Sequence, residues 1–410
     1  MRTPVSVLAR TVALVRSDPS GFRAGFLALA LSTAAGLLAG LTLGSITGTL
    51  EELPGLLILV PAAVGMRGNV FGALGSRLGT AIHTGTFRLS RRPDTLVGQN
   101  VVAALVLSVS LSLVLAFLAK IAAEAFGVSD AMSIADFIVI SVMGGLLPSV
   151  ILVAVTVGVA EMSVRREWDP DNVEAPIVTA AGDVLTLPSL FLATYVVGVD
   201  YLTPVVLVIA GVGASAVLVY GVRTRLPTCR AIIRGSLPVI VVAGSISLVA
   251  GVVVQSRLQP FLEDPALLVL LPPLLALVGS LASILTARIS SKLHLGLIVP
   301  TRLSLRPAAA DIVLVFALAT PIFVVLGVST DLVAAATGLA SPGVVSVAVI
   351  ALLSGLLATV LAVGVAYFAA VAAFRLGADP DNYGVPVVTA FADLLGAVAL
   401  ILVVTSLGLT

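Results

Sequence analysis

The chain has 410 residues, of which 59% are hydrophobic and only 10% are charged, and its mean hydropathy is +1.20. About a quarter of the residues in a soluble domain are charged, so this composition predicts an all-α polytopic membrane protein. The net charge of +1, without any basic stretch interleaved with aromatic residues, argues against a nucleic-acid partner. One cysteine and two histidines exclude an intrachain disulfide and a metal cage of histidine and cysteine ligands.

Eleven apolar runs are long enough to cross a membrane. Residues 1–20 precede them, and the spacing of their apolar side chains predicts an amphipathic segment on the inner membrane surface or a solvated linker helix. The predicted transmembrane helices cover residues 21–50, 54–86, 97–125, 134–163, 173–199, 202–221, 235–256, 265–295, 308–328, 343–374 and 383–408.

Basic residues beside these spans fall almost entirely on one side of the predicted membrane. Arginine and lysine follow the second, fourth, sixth, eighth and tenth spans, whereas the other connections carry mainly aspartate and glutamate. Because basic loops stay in the cytoplasm, the N-terminus is predicted to be cytoplasmic and the C-terminus extracytoplasmic. We therefore expect a multi-pass protein of the cell (plasma) membrane.

Two blocks of sequence occur twice at nearly constant spacing. The tetrapeptide Asp169-Pro170-Asp171-Asn172 recurs 210 residues later, and both copies lead to a further aspartate, Asp183 or Asp393. The block from Pro61 to Gly85 recurs at an offset of 211 residues, with a proline, an arginine and a histidine kept in both copies. The chain is therefore predicted to contain two copies of one unit.

Five spans in each copy define the expected domain organisation. Residues 21–199 form the first five-helix repeat, residues 200–234 the linker transmembrane helix with its cytoplasmic loop, and residues 235–410 the second repeat. The extra span makes the two repeats parallel, so we expect a pseudo-twofold axis along the membrane normal. Such a chain is a pseudo-dimer by itself and could act as a monomer.

Asp183 and Asp393 are the leading candidates for a functional site. Each lies about eleven residues into an apolar helix, which is near the middle of a bilayer. Three roles fit this position: a cation ligand, a proton carrier, or a protonated core residue bonded to a neighbour on its helix. Thr179 and Thr389 lie four residues earlier on the same faces and could provide that neighbour or a water-mediated ligand.

Other polar residues form a second group of candidates. Asn69 offers either a neutral oxygen ligand or a hydrogen bond between helices, and Ser280 stands at its place in the second copy. Arg77 and Arg288 could close the cytoplasmic end of a pathway as a gate, or simply extend to the membrane interface. Their candidate partners at the starts of the fifth spans are Asp169, Asp171, Asp379 and Asp381.

With these two blocks, the chain resembles the membrane domain of MgtE-type magnesium channels, and more closely the tandem form in the solute-carrier 41 family. The resemblance covers residues 21–199 and 235–408, and its most specific parts are Pro61 to Gly85 and the Asp-Pro-Asp-Asn segments with their following aspartates. It implies a pore between two five-helix units, with Asp183 and Asp393 contacting hydrated Mg2+. Residues 1–20 are too short for the soluble sensor domain of the bacterial channels, so we expect no gating by such a domain.

The resemblance thus implies transport of Mg2+ or a related divalent cation, with Mg2+ as the transported ion and no organic cofactor. Channel-like permeation and exchange coupled to Na+ or H+ are both compatible with it. An intramembrane aspartyl protease also needs two membrane-embedded aspartates, but this chain lacks the Gly-x-Gly-Asp pattern and a Tyr-Asp pair. We therefore do not expect an enzyme.

Overall fold

The computed structural model describes residues 19–90, 92–166, 170–300, 307–377 and 384–408. Within these ranges there are thirteen α-helices and no β-strand. In chain order they are α1 (Pro19–Ser45), α2 (Thr47–Glu52), α3 (Leu56–His83), α4 (Leu96–Ala125), α5 (Ile134–Arg166), α6 (Pro170–Thr194), α7 (Leu202–Arg223), α8 (Pro227–Gln255), α9 (Leu258–Glu263), α10 (Ala266–His294), α11 (Ala309–Thr337), α12 (Val344–Leu376) and α13 (Val385–Ser406).

Eleven of these helices are long and apolar enough to span a membrane, which confirms the predicted all-α polytopic fold. The exceptions are α2 and α9, each of six residues. A helix satisfies its own backbone hydrogen bonds, so it is the form in which an apolar segment can cross lipid. The amphipathic segment predicted for residues 1–20 lies almost wholly outside the described residues.

Several helix ends differ from the predicted spans, and the two largest differences have identifiable reasons. The seventh span begins at Pro227 rather than at residue 235, because proline is favoured in the first turn, where its missing N–H is not needed. The ninth span continues to Thr337 rather than ending at residue 328, and it stops where Gly338 adopts a left-handed conformation with φ of 73°. Glycine is the residue that adopts this conformation readily at a helix end.

The contacts divide the chain into two compact units, one of which comprises Leu38–Leu258. In this first unit α3 is the central helix, because it packs against α4, α5, α6 and α8. Helix α7 lies outside it, against α4, α5 and α8. Most of the residues of α3 are buried, so the first unit is built around the helix that carries Asn69 and Arg77.

At each end of α8, a glutamine side chain forms hydrogen bonds that join this helix to other parts of the first unit. The Gln99 Oε1 atom accepts hydrogen bonds from the backbone N–H groups of Thr228 and Cys229 at 2.9 and 3.3 Å. The Gln255 Oε1 atom at the other end accepts one from the Gly55 N–H at 3.3 Å. The Gln99 Oε1 atom thus accepts from N–H groups at the start of α8, which have no partner within the helix.

The second compact unit combines residues up to Leu37 with Gln259–Thr410. Helix α10 is central there and packs against α11, α12 and α13. Most of α1 also belongs to this unit, where Gly36 lies against Pro273 of α10. The compact units therefore group the spans differently from the repeats at 21–199 and 235–410: α1 lies with α10, and α8 lies with α3.

Close backbone packing of α8 on α3 depends on Gly251. A Cβ atom at this position would lie 2.5 Å from the Ile58 carbonyl oxygen and 2.7 Å from the Ile58 Cα. We expect Gly251→Ala to destabilise the fold by about 1–3 kcal/mol, because overpacking against backbone atoms forces the helices apart. The measurement is the midpoint of thermal unfolding of the purified protein in detergent micelles.

Gly213→Ala is the matched control, because nothing lies within 4 Å of the corresponding Cβ position in α7. Alanine has a higher helix propensity than glycine, so this variant should unfold at the wild-type temperature or slightly above it. A Gly251→Ala protein as stable as Gly213→Ala would contradict the described packing of α8.

Candidate ion site

Asp183 lies near the middle of α6 and is buried, with 5% of its surface exposed. Helix α6 packs against α3 and α5 in the first unit. Leu190 follows Asp183 by two turns on the same helix face, and its backbone lies directly against Gly144 of α5. The face of α6 that bears the carboxylate is thus turned towards other helices of its unit, as expected for a functional carboxylate in a span.

The same helix carries two threonines near the carboxylate. Thr179, one turn before Asp183, is half-buried. Thr186 is fully buried, and its hydroxyl donates a hydrogen bond of 2.6 Å to the Gly182 carbonyl. The Thr186 hydroxyl is therefore engaged with its own helix, and Thr179 remains the candidate of the two for contact with an ion or its water shell.

Asn69 is half-buried on α3, which packs against α6. Among the described residues its side chain makes no hydrogen bond, so the interhelical bond considered from the sequence is not formed there. The preceding Gly68 has no neighbouring atom within 4 Å of its Cβ position. An uncommitted amide oxygen next to open space can serve as a neutral ligand for a hard cation.

The second unit presents corresponding residues in a less buried setting. Asp393 on α13 is half-buried. Thr389, one turn earlier, lies against Gly279 of α10, the residue before Ser280. Its hydroxyl donates to the Val385 and Pro386 carbonyls at 3.0 and 3.1 Å. Asp183 and Asp393 lie in different compact units.

The arginines considered for the gate bind residues that the sequence reasoning missed. In the first unit the Arg77 Nε donates to the Asn100 Oδ1 at 2.8 Å. In the second unit the Arg288 Nη1 lies 3.3 Å from the Asp311 Oδ1. Both bonds join residues 23 positions apart, so the repeated spacing of Arg77 with Asn100 and Arg288 with Asp311 could have revealed them.

The predicted carboxylate partners of these arginines fall where the structure is not described. Asp169, Asp379 and Asp381 lie outside the described residues, as does the side chain of Asp171. The gate therefore stays a prediction. The Nη2 atom of Arg77 is buried without a hydrogen-bond partner among the described residues, so this guanidinium retains an unused donor.

Asp311 is the centre of a network that has no full counterpart in the first unit. It is buried and also receives the Lys292 ammonium group at 2.5 Å, while Lys292 donates to the Pro307 carbonyl at 2.8 Å. The first unit has the neutral Asn100 in its place. The same pair of helices is thus joined by two charge-assisted bonds in one unit and by one ion–dipole bond in the other.

Arg67 is a further residue that the sequence reasoning passed over as part of a glycine-rich segment. It lies in the interior of α3 with 1% of its surface exposed. The signal available in the sequence was a charged residue near the middle of an apolar span, which normally marks a function or a structural need.

The donor set is that of a site for a hard cation. It consists of carboxylate, amide and hydroxyl oxygens, the ligand type that suits Mg2+ and Ca2+ rather than softer metals. Among the described residues no group of three or more His, Cys, Asp or Glu side chains could enclose a metal ion. Such a sparse set is compatible with an ion that keeps most of its water ligands and touches only one or two carboxylates.

Eleven apolar spans define a polytopic membrane protein, and the carboxylate buried near the middle of α6 marks a candidate functional site in it. The sequence model of the MgtE family, described as "Divalent cation transporter", matches residues 60–193 and again residues 271–403. Together the two matches cover more than half of the chain, which therefore belongs to this family. The family is one of transporters and not of enzymes.

Curated relatives agree with this assignment. The chain is 28% identical to "Solute carrier family 41 member 2" of Macaca fascicularis over 388 residues and 27% identical to the human protein of that name over 388 residues. These alignments cover 85% of this chain and 63% of each relative. "Solute carrier family 41 member 3" of Mus musculus is 26% identical over 254 residues, covering 60% of this chain and 51% of that protein. No solved structure matches the chain.

The difference between Asp311 and Asn100 gives a reciprocal prediction. We expect Asp311→Asn to lower the stability of the protein by about 1–3 kcal/mol, because hydrogen bonds to charged partners are weakened and Lys292 loses its counterion. Asn100→Asp should keep the stability close to that of wild type, because it gives Arg77 an oppositely charged partner but loses the hydrogen bond that the Asn100 Nδ2 donates to the Leu96 carbonyl at 2.9 Å. Thermal unfolding in detergent at low and high salt measures both effects.

Salt provides the internal control in this experiment. The stability difference between wild type and Asp311→Asn should shrink at high ionic strength, because Arg288 and Lys292 are partly exposed and screened. Equal stability of Asp311→Asn and wild type at low salt would contradict the role assigned to the network.

Proposed function

We propose that this protein transports Mg2+, or a related divalent cation, across a membrane, with Asp183 and Asp393 as its ion contacts. The single observation that carries the proposal is the burial of Asp183 inside a membrane span. Membership of the MgtE family supports it, since the description of that family is divalent cation transport. The chain spans only 63% of the length of its solute-carrier relatives, so its activity is inferred for this chain and not transferred from them.

The chemistry of Mg2+ fits a site with few protein ligands. This ion gives up its water reluctantly and is usually held by one or two carboxylates with several waters retained. Asp183 supplies the charge in the first unit, and Asn69 and Thr179 provide neutral oxygens on α3 and α6. In the second unit Asp393 supplies the charge, with Thr389 one turn away. The hydrated ion would contact these oxygens largely through its own waters.

The two units contribute unequally in this proposal. Asp183 is more buried than Asp393, and an ion binds more strongly to a carboxylate in a medium of lower dielectric constant. The first unit also has Asn69 where the second has Ser280. We therefore assign the larger share of ion binding to Asp183.

The proposal includes an orientation of the chain in the membrane and a gate. The distribution of basic residues favours an N-terminus in the cytoplasm and a C-terminus outside the cell membrane. Arg77 and Arg288 then lie towards the cytoplasmic ends of their spans, where the Asp-Pro-Asp-Asn segments begin α6 and precede α13. Carboxylates of Asp169, Asp171, Asp379 and Asp381 near these arginines would close the inner end of the pathway.

Transport by purified protein in liposomes tests the proposed ion contacts. We expect Asp183→Ala and Asp393→Ala to lose Mg2+ uptake, with the greater loss at Asp183. A contact with a charged group contributes about 1.5–3 kcal/mol, so a fall in uptake of roughly tenfold or more is expected. The measurement is the rate of rise of a Mg2+-sensitive dye trapped inside the liposomes.

Asp331→Asn is the control variant, because it removes a carboxylate from a span end whose described partner is the Ser341 hydroxyl at 2.6 Å. This variant should transport at the wild-type rate. Uptake at the wild-type rate by both alanine variants would refute the site assignment. Repeating the assay with imposed Na+ or pH gradients separates a channel from a coupled exchanger, because gradient dependence would require coupling.

A further inference from the structure

Helix α5 contains a proline that withholds a backbone donor from the interior of the first unit. Pro148 has no N–H, so the Gly144 carbonyl one turn earlier lacks its normal helical partner. The Arg67 side chain occupies that role. Its Nη2 atom donates to the Gly144 carbonyl at 3.4 Å, and its Nη1 atom donates to the Ala63 carbonyl at 2.8 Å.

The surroundings of Arg67 are unusual for a charged residue. It is 1% exposed, and its Nε atom is buried without a hydrogen-bond partner in the part of the chain that the structure describes. Its bonds go to backbone carbonyls, and no described carboxylate pairs with it. Burying a guanidinium within a membrane span is costly, so this arrangement requires a compensating benefit.

Neighbouring residues are adapted to admit this side chain. A Cβ atom at Gly145 would lie 2.8 Å from the Arg67 Nη2 and 2.4 Å from the Ser112 Oγ. Glycine at 145 therefore makes room for the guanidinium, and Ser112 keeps the same space polar. Helices α3, α4 and α5 each contribute one residue to this buried cluster of Arg67, Ser112 and Gly145.

The second unit fills the corresponding space with apolar groups. At the offsets of the sequence repeat, Val278 stands for Arg67, Phe323 for Ser112 and Gly355 for Gly145. A Cβ atom at Gly355 would lie 2.4 Å from the Phe323 ring. Ala358 stands where the first unit has Pro148. The second unit, which has no proline at the position of Pro148, thus also lacks the arginine.

Gly144 connects this cluster to the helix that bears Asp183. A Cβ atom at Gly144 would lie 2.8 Å from the Leu190 Cα of α6, so the two backbones are in direct contact. Leu190 lies two turns from Asp183 on the same face of α6. A continuous path of contacts therefore runs from Arg67 through the Gly144 peptide to the helix that carries the proposed ion contact.

We propose that Arg67 is a positioning residue for Asp183. It replaces the N–H that Pro148 withholds, and it thereby fixes the Gly144 segment on which α6 rests. The proposal rests on the proposed transport function for its effect on ions, whereas the bond to Gly144 can be tested without transport. Loss of the guanidinium leaves the buried Gly144 carbonyl without a donor, so α5 can shift at Pro148. This shift would change the position of Asp183 relative to Asn69.

The test is a double-mutant cycle with Arg67→Met and Pro148→Ala in the full chain. Arg67→Met should raise the Mg2+ concentration that gives half-maximal uptake in liposomes by about tenfold, the factor equivalent to ~1.4 kcal/mol or one hydrogen bond. Pro148→Ala restores a backbone N–H for the Gly144 carbonyl, so the double variant should return to within about twofold of wild type. Val278→Met is the matched control and should leave uptake unchanged.

Thermal unfolding in detergent, with and without Mg2+, is the second readout. Arg67→Met should unfold at a lower temperature only when Pro148 is present, and it should show a smaller stabilisation by Mg2+ than wild type. This measurement keeps the two proposals distinguishable. Wild-type protein without any Mg2+ uptake would refute the transport function, whereas the unfolding cycle would still decide whether Arg67 serves Gly144.

Each remaining outcome decides the inference. The inference is overturned if Arg67→Met has the wild-type Mg2+ concentration for half-maximal uptake and the wild-type unfolding temperature. It is also overturned if Arg67→Met and the double variant show an equal defect. If Arg67→Met cannot be purified, a purified double variant with wild-type uptake supports the inference, and failure of both variants overturns it.

Discussion

The demand that every backbone carbonyl inside a bilayer find a donor is the constraint on which the first unit depends. Most carbonyls are satisfied by the helices themselves, but Pro148 removes one donor from the interior of α5. The buried Arg67 of α3 supplies a donor in its place, and Gly145 and Ser112 accommodate the arginine side chain. Three helices are thereby joined through a polar contact where apolar packing alone would suffice in a proline-free bundle.

The two halves keep one helical plan while differing in their chemistry. Arg67 in one half is replaced by Val278 in the other, and Asn69 is replaced by Ser280. At these two positions the first unit thus carries the more polar side chains. These differences agree with the proposed assignment of the larger share of ion binding to Asp183.

The sequence predicts the number and approximate places of the spans well, because length and hydropathy alone decide whether a helix crosses a membrane. Helix ends were less predictable, since Pro227 and Gly338 act through local backbone conformation that hydropathy does not register. Asp183 was found because a lone carboxylate stands out in an apolar span. The grouping of α8 with α3 could not be found this way, because it arises only when helices distant in sequence pack together. Asp311 was missed because its role is visible only when its spacing from Arg288 is compared with that of Asn100 from Arg77.

The arginine clusters of α3 and α10 carry equal charge by different means. Arg77 with the neutral Asn100 contributes one positive charge, and Arg288 and Lys292 together with Asp311 contribute two positive charges and one negative, which also leaves one. Each cluster on its own would repel a cation. Each Asp-Pro-Asp-Asn segment supplies two carboxylates, enough to reverse the sign locally. On the proposed arrangement, approach of the segments to the arginines neutralises the carboxylates and closes the inner end, and their separation restores an attractive field for the ion.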